Sequence, residues 1–63
     1  MNDSAIILRI ARRVKAGSLD AGPKASFEEY NGRGAWAEAT DSERKAERGS
    51  FALALRAIAR QIA

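Results

Sequence analysis

The stretch from Thr40 to Ile62 most constrains what this chain can fold into. Thr40-Asp41-Ser42-Glu43 has the form of a capping box, in which the Thr40 hydroxyl accepts from the Glu43 backbone N–H and the Glu43 carboxylate accepts from that of Thr40. A helix therefore starts near Asp41. Beyond it, Phe51, Leu55, Ile58 and Ile62 recur at spacings of four, three and four. At about 100° per residue they fall within roughly 60° of arc, which makes them the expected core stripe. Arg56 and Arg60 project from the other side, as on a helix with one buried and one wet face.

The same helix carries a second aligned set. Ala46, Ser50, Leu53 and Ala57 lie about 120 to 160° from the stripe, and three of the four are small enough to admit another backbone. Leu53 has no place in the first core. Either another helix of this chain covers it, or it meets a second copy or a partner. Gly49 costs about 1 kcal/mol relative to alanine if the helix runs through it, so it marks either a kink or a close helix crossing.

With 63 residues the chain forms one small domain, residues 1–63, whose core is marginal without a staple. Cysteine and histidine are both absent, which removes disulfides and the usual ligand sets for zinc, copper and haem. No cofactor or metal is expected. Oligomerisation is the remaining common route to stability, and the second face of the last helix makes a homodimer the expected form. Ile6-Ile7-Leu8 is too short for a signal peptide and is followed by Arg9, Arg12 and Arg13. No run is long enough to span a membrane, so a cytoplasmic protein is expected.

Taken in order, Asn2-Asp3-Ser4 offers capping side chains and Gly17 a left-handed stop, which predicts a helix over residues 4–16. On a wheel, Ile6, Ile7, Ile10, Ala11 and Val14 cover one broad side, and Arg9, Arg12 and Arg13 much of the other. With Lys15 these arginines form a basic patch, suited to phosphates or an acidic partner, or else a solvated face matched to the helix dipole. Residues 17–24, with two glycines and the only proline, read as a loop. Ser26 and Glu29 form a second capping box, predicting a short helix over residues 27–31 that turns Phe27 and Tyr30 into the core beside Trp36. The fold class is all-α: a small bundle of two longer helices (4–16 and 41–62) and one short one (27–31), as a dimer.

The pattern Trp36-x-x-Ala39-x-x-x-x-Arg44, followed by an alanine-rich amphipathic helix, resembles that of many small phage and prophage proteins. A part of the RyR-type helical repeat is similar. Ala39 stands where that pattern more often has a larger apolar residue. The resemblance implies a small helical accessory protein of a mobile element that binds a host protein, and it carries no catalytic residue.

Without histidine or cysteine, general-base and nucleophile roles fall on other residues. The carboxylates are taken up by helix starts and helix surfaces, with Asp20 and Glu38 alone in or beside connectors. The chain is therefore expected not to be an enzyme. Two function classes remain. The first is a protein-interaction module working through Ala46, Ser50, Leu53 and Ala57. The second is a nucleic-acid-binding module that lays Arg9, Arg12, Arg13 and Lys15 along phosphates. No aromatic or amide side chains interleave those four residues for base contact, which favours the first class.

Overall fold

Four helices make up the computed structural model, which describes residues 2–62. α1 (Asp3–Ala16) starts where the Asn2 side chain accepts from the Ala5 N–H at 2.8 Å. It stops at Gly17, whose left-handed backbone (φ 84°) lets its N–H reach the carbonyls of Arg13 and Val14. α4 (Asp41–Ile62) opens on the capping box, with the Glu43 N–H donating to the Thr40 hydroxyl at 3.0 Å and the Thr40 N–H to the Glu43 carboxylate at 2.9 Å. These are the two longer helices of the expected all-α bundle, and no strand occurs among the described residues.

The middle of the chain departs from expectation. α2 (Ala21–Asn31) begins inside the segment read as a loop, and Ser26 is an interior residue, not a cap. Gly22 and Pro23 are accommodated because they fall in the first helical turn, where a missing proline N–H has no intrahelical partner to lose. Asp20 stands at the cap position, where its carbonyl accepts from the Lys24 N–H at 2.9 Å but its side chain makes no cap hydrogen bond. The short helix expected at 27–31 is thus the second half of α2, and a one-turn α3 (Ala35–Glu38) follows it. Trp36 is buried, and the Phe27 ring meets it edge-on at 5.7 Å and 73°. Tyr30, expected beside them, is 85% exposed.

α1 and α4 pack antiparallel. Gly17, at the end of α1, lies beside the Arg48 guanidinium, while Ala11 and Val14 enclose Ala52 further along α4. The seam is made of Ser4, Ala11 and Val14 from one helix and Ala52 and Ala59 from the other, with Leu19, Phe51 and Leu55 partly covering it. The expected stripe of α4 is therefore rotated: Ala52 and Ala59 point inward, while Ile58 and Ile62 are 47% and 49% exposed. Small side chains facing one another let the two backbones approach, and contact then accumulates along the whole seam. Ile7, on the same face of α1 as Ser4, Ala11 and Val14, is the one isoleucine of that line and is partly buried.

The result is elongated and thin. The chain extends over 37 × 19 × 14 Å, and its radius of gyration is 12.2 Å where a compact chain of this length has about 10.6 Å. Its accessible surface, 4541 Å², exceeds by roughly 600 Å² the value of about 3,950 Å² usual for this mass.

Two glycines test this packing in opposite directions. A Cβ at Gly22 would run into the Phe51 ring, whereas one at Gly49 would meet nothing within 4 Å, so a close crossing does not explain Gly49. Helix α4 continues through Gly49. Urea denaturation of Gly49→Ala should show about 1 kcal/mol of added stability, and of Gly22→Ala a loss of about 1 to 3 kcal/mol as the ring is displaced.

Candidate interaction surface

A set of side chains on the first half of α4 fixes the arrangement of the rest. Arg48 holds Asp20 through two hydrogen bonds, Nε to Oδ1 and Nη2 to Oδ2, each 2.8 Å. This bond holds the Asp20 carboxyl below its ordinary value and raises Arg48 further. Arg44, one turn earlier, donates to the Trp36 carbonyl from Nε at 3.1 Å and Nη2 at 2.9 Å, and to the Ala37 carbonyl at 3.0 Å. Both guanidinium carbons lie 5.7 Å from the Trp36 ring centroid. From α2, the Glu28 carboxylate accepts from the Gly34 and Trp36 N–H groups at 3.0 and 3.2 Å. Trp36 is thus gripped through its ring and through its backbone, and the spacing between Trp36 and Arg44 is realised as a contact.

Two of these residues escaped sequence reasoning. Asp20 looked like a lone connector residue and Glu28 like a helix-surface one. Arg48 lies 28 residues from Asp20, so no local spacing could announce the pair. The Glu43 carboxyl is also held low, by the Thr40 backbone N–H, as the capping box implies.

The cluster serves the fold; the surface it leaves free lies elsewhere. Ala46, Ser50 and Leu53 are exposed on the outer side of α4, away from the seam, and Ala57 is partly so. Leu53 is 61% exposed, and no helix of the described chain covers this face. Arg9, Arg12, Arg13 and Lys15 are all exposed, and none has an ion-pair partner among the described residues. They spread around the free sides of α1 and do not gather on a single face.

A third feature was not anticipated. Ile6 and Ile10 of α1 remain 42% and 37% exposed, and with Ile58 and Ile62 they put four large aliphatic side chains outside the core. Charge follows the same division. The two-helix half, α1 with the second half of α4, holds Arg9, Arg12, Arg13, Lys15, Arg56 and Arg60 against Asp3 alone, a net +5. The remainder holds Lys24, Arg33, Arg44, Lys45 and Arg48 against Asp20, Glu28, Glu29, Glu38, Asp41, Glu43 and Glu47, a net −2, which completes the chain's +3. Exposed aliphatic and basic side chains thus share one end of the molecule.

Among the described residues there is no pocket and no group of three or more carboxylates placed to hold a metal ion. No described helix is long and apolar enough to cross a membrane.

The Asp20–Arg48 pair makes stability depend on pH. Asp20 titrates lower in the folded chain than its ordinary 3.8, so its contribution is complete above that value and is lost as pH falls through the lower folded one. Asp20→Asn should therefore melt at a lower temperature than wild type near neutral pH, and the gap should close in strong acid, as read by circular dichroism. No protein-family model, no curated protein and no solved structure matches the chain.

Proposed function

We propose that the chain is a non-enzymatic interaction module that self-associates through the outer face of α4 and, as a dimer, binds another protein. The observation that carries this reading is Leu53, 61% exposed on a helix face whose neighbours Ala46, Ser50 and Ala57 are small. The same physics joins α1 to α4, where alanines allow close approach. The register supports it further. An antiparallel pair of α4 helices centred between Phe51 and Ala52 sets Ala46 opposite Ala57 of the second copy and Ser50 opposite its Leu53. The same register sets Glu43 opposite Arg60 of the second copy, an opposite-charge pair at each end of the contact.

The excess surface of roughly 600 Å² is comparable to the 800 Å² or so that each partner buries in an ordinary interface. The resemblance to small phage proteins supports a host protein as the further partner and an accessory role in a mobile element. A nucleic-acid module is the second reading, drawn from the net +5 of the two-helix half. That reading requires duplex affinity to fall steeply between low and moderate salt.

Sedimentation equilibrium tests the first reading. Wild type should be a dimer, and Leu53→Arg a monomer with unchanged helicity. Arg60→Glu should weaken the dimer by placing like charges opposite one another. A monomeric wild type at about 100 µM, a concentration at which even a Kd in the micromolar range gives mostly dimer, defeats the reading.

A further inference from the structure

We infer that Arg12 and Lys15 of α1 and Arg56 and Arg60 of α4 form one basic flank of the helix pair, which grips the phosphate backbone of a nucleic-acid duplex without regard to its sequence. The inference rests on the nucleic-acid reading above and moves its site from the four basic residues of α1 to two residues on each helix.

The four share one side. In an antiparallel helix pair, the positions just after each inward-facing residue turn to one flank and the positions just before it to the other. Arg12 follows Ala11, Lys15 follows Val14, Arg56 follows Leu55 and Arg60 follows Ala59. Asp3, the single acid of the two-helix half, precedes Ser4 and so lies on the opposite flank with the isoleucines. Arg13 precedes Val14 and belongs there too, while Arg9 lies on the side of α1 turned away from α4.

Register sets the four in a row. Gly17 lies beside Arg48, and Ala11 and Val14 enclose Ala52, which puts Lys15 level with Ser50 and Arg12 level with Leu53. Arg56 and Arg60 continue the sequence along α4. The charges thus follow one another over about 15 Å of helix length, at steps of roughly 4.5 to 6 Å. One strand of a duplex sets about four phosphates in that length.

No element of the described chain covers this flank. A Cβ at Gly49, which follows the inward-turned Arg48, would meet nothing within 4 Å, and α2 lies against Phe51 on the other flank. Arg12, Lys15 and Arg60 are exposed, Arg56 is half-buried, and none has an ion-pair partner among the described residues.

The rest of the flank selects the partner. A protein interface wants an apolar centre poor in charge, and here the charges are central. A membrane-surface helix needs aromatic or aliphatic side chains to insert, and the one aromatic residue of this half, Phe51, lies on the other flank. A phosphate backbone asks for cations alone, and arginine forks suit it. With no amide or aromatic side chain among the four to read base edges, the contact stays on the backbone.

The test is fluorescence anisotropy of a short labelled DNA duplex titrated with the full chain between about 50 and 200 mM salt. Log affinity should fall against log salt with a slope of about −3.6 per chain bound, from four contacts at about 0.9 each. Arg12→Gln with Arg56→Gln should weaken binding at least about tenfold at the lowest salt and flatten the slope by about 1.8. Arg9→Gln with Arg13→Gln removes the same charge from other sides and should leave the slope unchanged. Should circular dichroism show the Arg56 variant unfolded, Arg60→Gln takes its place. A duplex of unrelated sequence should bind equally. Vesicles of phosphatidylcholine and phosphatidylserine, and polyglutamate, serve as rival anions and should bind more weakly. Equal losses in the two double variants, or a strong sequence preference, would overturn the inference and leave the nucleic-acid reading standing. Tighter binding to vesicles or polyglutamate, or no duplex binding at the lowest salt, would sink both, whatever the Leu53-dependent dimer does.

Discussion

The close approach of α1 and α4 is the constraint on which the rest of this structure depends. It is made by Ser4, Ala11, Ala52 and Ala59, with Val14 the largest side chain fully enclosed between the two helices. Alanine loses no rotamer freedom on burial, so ordering the seam costs little beyond the backbone. The same choice limits the apolar area removed from water, because methyl groups bury little. A chain that spends its small residues on its own core has Ile6, Leu8, Ile10, Leu53, Ile58 and Ile62 left over. The exposed apolar faces are thus a direct consequence of how the core is built.

The opposite end is held by different chemistry. Arg44 and Arg48, one turn apart on α4, hold α3 by its carbonyls and the start of α2 by its carboxylate, with the Trp36 ring beside both guanidinium groups. Arginine suits the task because its planar fork bonds a carboxylate or a carbonyl while its face lies against an aromatic ring. The molecule therefore divides into an alanine-packed half with little internal polarity and an arginine-organised half built around the Asp20–Arg48 ion pair and the Arg44 bonds to α3. Basic and aliphatic residues without internal partners collect in the former.

What could be read from the sequence was mostly local. The Thr40–Glu43 box, the Asn2 cap and the Gly17 stop are set by neighbours within a turn, and each formed as its spacing dictates. The packing side of α4 was misjudged because hydrophobicity ranks Ile58 above Ala59, while the seam selects for closeness. The start of α2 was hidden because Gly22 and Pro23 imitate a loop, and because the interaction that secures Asp20 comes from Arg48, far along the chain. For the candidate surface, the alignment of Ala46, Ser50, Leu53 and Ala57 follows from spacing alone. That no helix of the described chain covers them is a property of the assembled fold, as is the basic flank, which needs both helices to exist.

The two halves also differ in how far along the chain their contacts reach. Trp36 finds Phe27 and Arg44 within about a dozen residues, whereas Ala11 and Ala52 must close a loop of roughly 40. Short loops close at less entropic cost, so α2, α3 and the first half of α4 can assemble as a local unit before α1 arrives. α1 would then be the last helix to dock, but once docked it holds Ala11 and Val14 of the core, so its amides should exchange no sooner than those of α2 and α3, which bury one residue each. Departure of α1 would uncover the seam as well as the flanking isoleucines, so a partner that holds α1 down would set how often the alanine core opens.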